Sequence, residues 1–176
     1  MKLKVLFLFV ILISCNKKES QKLVPQFDRF IFSAAGDNHN YSIKFTQNDT
    51  IYIEKRFPFP KQNYYSILKK NQLDSLNKKL MKLDFSKYKS SYINEQLSDG
   101  QAYEFLLRKK TSNKKVIIYG LENPKELYEL AHWLTSLKKE TKLLPTNKNI
   151  EFDSLEHKLI QPPPPPIKID KLIYKK

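Results

Sequence analysis

The residues able to do chemistry in this 176-residue chain are few and scattered. Its three histidines, His39, His132 and His157, have no H-x-x-x-H or similar ligand spacing between them. Cys15 is the only cysteine, which rules out a disulfide framework and any multi-cysteine metal or iron–sulfur site. Three glycines cannot supply a phosphate-cradling loop of the G-x-G-x-x-G or Walker kind, and no serine lies in a G-x-S-x-G elbow. Asp37-Asn38-His39-Asn40 is ordinary turn composition. Asp99 and Glu104 could neighbour a site at a sheet end, with nothing in the sequence to set them apart from a solvated face. An enzyme would need a polar pocket where Asp37, His39 or Glu104 converge with a perturbed pKa. The sequence therefore predicts no catalytic residues, no metal and no cofactor.

Two features suit non-covalent binding instead. Phe57-Pro58-Phe59-Pro60, followed by Tyr64-Tyr65, forms an aromatic and proline cluster leaving a strand. Aromatic residues are over-represented in binding hot spots, which makes Phe57, Phe59, Tyr64 and Tyr65 candidate contacts. The same residues equally suit the lid of a small sheet's core. The second feature is Pro162–Pro166, five consecutive prolines that form a polyproline II rod of about 15 Å. Such a rod is a stiff spacer able to deliver Ile167–Tyr174 to a sheet edge, of this molecule or of another.

The elements that must position these residues follow from periodicity. Asp28–Ala34 reads as a strand. Tyr41, Ile43 and Phe45 alternate with polar residues, as do Ile51 and Ile53 after the Asn48-Asp49 turn, which predicts a β-hairpin. Leu73, Leu76, Leu80 and Leu83 make one apolar stripe on a helix over 72–83, capped by Asn71. A second hairpin opens at Asp99-Gly100 and carries Tyr103, Phe105 and Leu107 on one face; Val116–Tyr119 suits a central strand. Leu127, Leu130, Ala131, Leu134 and Leu137 form the stripe of a second helix, with Asn123 as cap and Pro124 at its first position. The sum is an α+β fold, an antiparallel sheet of about five strands in hairpins with two amphipathic helices on one face.

The charge narrows the partners. Thirty-two basic residues against 18 acidic give +14, a surplus that in general favours nucleic acid. Here the basic residues are almost all lysine. Arginine, which reads phosphate and guanine bidentately, is confined to Arg29, Arg56 and Arg108. Abundant Lys, Asn, Ile, Phe and Tyr beside scarce Arg and Gly is the default of an AT-rich genome. What remains is a solvated lysine face, or attraction to anionic envelope material screened within about 8–10 Å at physiological salt.

The N-terminus carries the one recognisable motif. Lys2 and Lys4 precede an unbroken apolar run of nine, Val5–Ile13, too short for a bilayer span of roughly 20 residues. The run closes in Leu12-Ile13-Ser14-Cys15, which resembles the lipobox of bacterial lipoproteins. The resemblance implies diacylglycerol on the Cys15 thiol, cleavage between Ser14 and Cys15, and acylation of the new amine. It also implies an envelope protein attached to a membrane through its N-terminal lipid. Asn16 follows the cysteine, where Asp would signal inner-membrane retention, so the expected address is the outer membrane, facing the periplasm. Loss of residues 1–14 leaves 30 basic residues against 18 acidic. A lipid-anchored envelope protein does not meet the chromosome, so no nucleic acid is expected.

The expected organisation is a signal peptide at 1–14, a lipidated tether at 15–26, an α+β domain at 27–143 and a proline-rich tail at 144–176. The chain is similar to small envelope lipoproteins of unknown function. It is expected to bind or assemble with an envelope protein or an anionic envelope polymer. The alternative is an immunity-type or inhibitor lipoprotein that caps a toxic enzyme.

Overall fold

The structure is a computed structural model. It describes residues 27–152 apart from 37–38, 59, 95, 98–99, 121–123 and the side chain of His39. The expected signal peptide, Ser14, Cys15, the tether and the proline tract lie outside the described residues.

Four antiparallel strands come first: β1 (Arg29–Gly36), β2 (His39–Phe45), β3 (Thr50–Lys55) and β4 (Gln62–Ile67). Helix α1 (Lys70–Lys82) follows, then a short 3-10 turn, then β5 (Ser91–Ile93), β6 (Ala102–Lys109) and β7 (Ser112–Tyr119). Helix α2 (Lys125–Glu140) leads to β8 (Leu144–Pro145). The strands make one sheet in the order β5-β7-β6-β1-β2-β3-β4-β8, antiparallel except for the β5–β7 pair. Helix α1 carries the chain from the β4 side to the far edge at β5, and α2 carries it back to β8.

Strand alternation decides what each face does. On β1, Phe30, Phe32 and Ala34 point one way; they stand opposite Phe45, Ile43 and Tyr41 of β2 and opposite Leu107, Phe105 and Tyr103 of β6. Ile51 and Ile53 of β3 and Val116 and Ile118 of β7 extend this layer. All of them share one core cluster with Leu76 and Leu80 of α1 and with the five-residue stripe of α2. Both helices therefore cover the same face. Phe32 is fully buried against Tyr41, Tyr103 and Phe105, with ring centroids 5.4–6.3 Å apart.

Eight strands stand among the described residues where about five are expected, and each of the three extra ones has a physical reason. In β4 the adjacent Tyr64 and Tyr65 hide the alternation. Strand β5 is three residues long. Strand β8 is two residues long and contains a proline, tolerated because it lies at the sheet edge. The helix starts shift as well. Helix α1 begins at Lys70, with the backbone N–H of Lys69 donating to Gln72 Oε1 at 2.9 Å, so Asn71 lies inside the first turn. Pro124 is the cap of α2, so the cap falls one residue later than the expected Asn123; its carbonyl accepts from the N–H groups of Leu127 and Tyr128. The packed body also runs past residue 143, since Phe152 is buried. At the end of β7, Gly120 has φ +90°, and a Cβ there would stand 2.5 Å from Leu97 Cδ1.

Replacing Phe32 by Ala should lower stability by about 3–5 kcal/mol, the usual cost of deleting a buried phenylalanine. Lys139→Ala, on the solvated side of α2, should change it by no more than about 0.5 kcal/mol. Urea unfolding followed by the fluorescence of Trp133 checks both.

Candidate functional site

The face away from the helices is not simply the polar side of an amphipathic sheet. Two rows of side chains cross it. The first runs Leu106, Ile31, Lys44, Tyr52, Tyr65 and Leu144 over strands β6, β1, β2, β3, β4 and β8. Phe152 and Ile150 pack on its Ile31, Tyr52 and Leu106. The second row lies two residues further along the strands and runs Ile117, Glu104, Ser33, Ser42, Glu54 and Asn63.

That second row holds charge out of water. Glu54 is 2 % exposed, Glu104 3 % and Arg56, just past the end of β3, 6 %. A buried charge is tolerated only when paired and hydrogen-bonded, and here the pairing is extensive. Arg56 Nε donates to Asn40 Oδ1 at 2.6 Å, and its Nη1 donates to Ser42 Oγ at 2.7 Å and to Glu54 Oε1 at 3.4 Å. The Ser42 and Ser33 hydroxyls share a 2.5 Å hydrogen bond. Two half-exposed lysines close the ends: Lys61 Nζ is 2.8 Å from Glu54 Oε2, and Lys115 Nζ is 2.7 Å from Glu104 Oε1. Arg56 Nη2 is buried and meets no acceptor among the described residues.

Burial sets the direction of each titration. It raises the Glu104 carboxyl above the ordinary carboxylate value, against the opposing pull of Lys115 and Arg56. It lowers the Arg56 guanidinium, against the charge of Glu54 and Glu104. Chemically the row ties three strands, β1, β2 and β3, together through a guanidinium and two hydroxyls, and Lys115 of β7 holds Glu104 of β6. Among the described residues neither serine is hydrogen-bonded to an imidazole or carboxylate that could take its proton.

The expected aromatic contacts divide. Tyr65 belongs to the first row of the open face, whereas Tyr64 lies on the helix side, packed against the core under Lys55 Nζ at 4.8 Å. Phe57 is exposed, and Phe59 lies outside the described residues. The structure thus does not join Tyr64 and Tyr65 in one surface. Of the four polar candidates, Glu104 is buried in the ionic row. Asp37 and Asp99 lie outside the described residues, and of His39 only the backbone is described. His132 is exposed on α2, its ring 4.3 Å from that of Tyr128.

The sequence did not single out Ser33, Ser42, Glu54, Arg56, Lys61 or Lys115. Their signal is weak: two small hydroxyl residues that leave room for a guanidinium once the register sets them side by side. Among the described residues no three His, Cys, Asp or Glu side chains group to hold a metal ion. No helix among them is long and apolar enough to cross a membrane.

Fold and site define a class: a one-sheet α+β protein with its helices on one face and a buried ionic row on the other. The chain belongs to the DUF6438 family, a domain of unknown function whose profile matches residues 34–138. The match spans Ser42, Glu54, Arg56 and Glu104 and stops before β8. No curated protein and no solved structure gave a match.

Arg56→Ala should cost about 3–5 kcal/mol, because it leaves the buried Glu54 short of its partner. Lys61→Ala should cost at most about 1 kcal/mol, since Lys61 is more than half exposed. Chemical denaturation separates the two. The raised pKa of Glu104 means that the folded state holds its proton more tightly than the unfolded chain does. Its share of stability is therefore full in acid and lost as pH rises through the folded pKa. Stability of Glu104→Gln relative to wild type should accordingly improve from acid to neutral pH, read from unfolding curves across that range.

Proposed function

We propose that this chain is a lipid-anchored bacterial envelope protein, held in the outer membrane through Cys15 and facing the periplasm, that works by non-covalent binding of another envelope protein. The anchor rests on the lipobox-like Leu12-Ile13-Ser14-Cys15 behind a basic, then apolar, leader. The observation that carries the binding role is the β4–β8 side of the sheet. Strand β8 pairs with β4 over two residues and Thr146 N–H donates to the Asn63 carbonyl, so among the described residues the Ile67 end of β4 and the outer side of β8 are what remains for an added strand. There Ile67 is 62 % exposed and Leu144 39 %. Exposed apolar side chains next to an open strand edge suit a protein partner that adds a strand and buries them.

A second reading, attraction to an anionic envelope polymer, draws on Lys55 and Lys138. Lys138 Nζ lies 4.1 Å over the Tyr41 ring, and Lys55 faces Tyr41 across the β2–β3 pair. Burial lowers the Lys138 ammonium, and the neighbouring Lys55 and Lys139 lower it further. Such a group gains from an incoming anion.

Cys15→Ala should move the protein from the membrane pellet to the soluble fraction and abolish labelling by radioactive palmitate. Labelling that persists would overturn the anchor. In cells, crosslinking from the wild type should capture one envelope protein, and Ile67→Glu with Leu144→Glu should reduce that capture at least tenfold. Capture of polymer alone, released by salt, would favour the lysine reading.

A further inference from the structure

At the β6–β7 hairpin the helix-side layer of the sheet changes chemistry. On that face Phe105 stands opposite Val116, Leu107 opposite Lys114 and Lys109 opposite Ser112. Alternation would carry the apolar layer on through positions 109 and 114, and two ammonium groups stand there instead. A cavity of about 240 Å³ opens beside them. Its apolar walls are Phe27, Leu80, Leu83, Phe85 and Leu107. Leu80 lies in the last turns of α1, and the Leu83 N–H that ends the helix donates to the Leu80 carbonyl. Phe85 is buried, its ring 6.4 Å from that of Phe30 and 6.5 Å from that of Phe105.

The charge around this cavity is one-sided. Lys109 and Lys114 line it, and the single carboxylate that does so, Asp84, is already engaged. Asp84 Oδ1 accepts from the Ser86 N–H at 3.2 Å and from Ser86 Oγ at 2.6 Å, and its Oδ2 lies 3.5 Å from Lys87 Nζ. Lys114 Nζ donates to a neutral acceptor, the Tyr88 carbonyl, at 2.6 Å. Among the described residues no carboxylate forms an ion pair with Lys109 or Lys114. A second, more open hollow of about 400 Å³ shares Lys109 and is lined also by Arg108, Lys110 and Asp28.

A wholly apolar ligand would strip water from the two ammonium groups with nothing in exchange, and a bare anion would leave the walls wet. A molecule with an alkyl chain and an anionic head suits both parts. Position names its source. Phe27, one of the walls, follows the twelve residues 15–26, which hold it within about 43 Å of a lipid on Cys15.

We propose that this cavity takes part of one acyl chain of an anionic phospholipid, whose phosphate is received by Lys109 and Lys114. The membrane as the source rests on the anchoring proposed above; the chemistry of the site does not. Sites that enclose a whole small molecule measure about 300–1,000 Å³. At about 240 Å³ this one holds a segment of chain while the rest of the lipid stays in the bilayer.

Full-length Cys15→Ala, which has no thiol to carry a lipid, tests the site with three soluble probes: dihexanoyl-phosphatidylglycerol, dihexanoyl-phosphatidylcholine and inorganic phosphate. The amide resonances of Ser86, Ser112 and Asn113 should shift saturably with the first. The zwitterionic lipid and inorganic phosphate should each bind at least tenfold more weakly. Lys109→Glu should weaken the anionic lipid at least tenfold and Leu83→Gln at least threefold, while Lys139→Glu leaves it unchanged. Equal binding of the zwitterionic lipid or of inorganic phosphate overturns the proposal, as does unchanged affinity in Lys109→Glu. Shifts that follow protein concentration alone place a second copy there and overturn it too. Because the protein tested has no anchor, a failure here leaves the anchoring untouched, and a wild type without palmitate label leaves this site standing.

Discussion

Strand β1 lies between β2 and β6, and its alternation assigns every neighbouring strand its two faces. With Phe30, Phe32 and Ala34 turned to the helices, the antiparallel registers leave Tyr41, Ile43 and Phe45 of β2 and Tyr103, Phe105 and Leu107 of β6 no other orientation. The same registers bring Ser33, Ser42, Glu54 and Glu104 into line on the opposite face. A slip of one residue would bury the charges under the helices and turn the phenylalanines to the other side. Aromatic core and ionic row are two outcomes of one constraint.

The row also shows how a sheet with helices on one side keeps its other side specific. Apolar residues alone would accept several partners in several registers. A guanidinium that needs Asn40, Ser42 and Glu54 together accepts one arrangement. Replacing such a cluster by apolar residues of similar volume is often neutral or stabilising in general. Its presence here accords with a role in fixing register.

The sequence carried the helix stripes and the alternation of β2, β3 and β6, because each rests on a period visible within one segment. Strand β4 escaped since Tyr64 and Tyr65 break that period. Strands β5 and β8 are too short to have one, and their pairing comes from the sheet edges they meet. The ionic row was least legible. Glu54 and Arg56 read as the solvated side of an alternating strand, and only the pairing of β2 with β3 and of β1 with β6 shows that their neighbours are two serines and another carboxylate. Glu104 could be named from sequence as a candidate, whereas its burial depends on strands more than fifty residues away.

Phe27 has a consequence of a different kind. It is buried in the core, its ring 6.0 Å from that of Phe30, and Asp28 N–H already bonds the Arg108 carbonyl. Any tension arriving through the preceding segment meets this wedge first and then β1, a strand bonded along both sides. Pulled along its own axis, β1 loads its hydrogen bonds to β2 and β6 in shear and all together, where an edge strand would peel one bond at a time. The chain thus enters its domain at the point where a mechanical load is shared most widely.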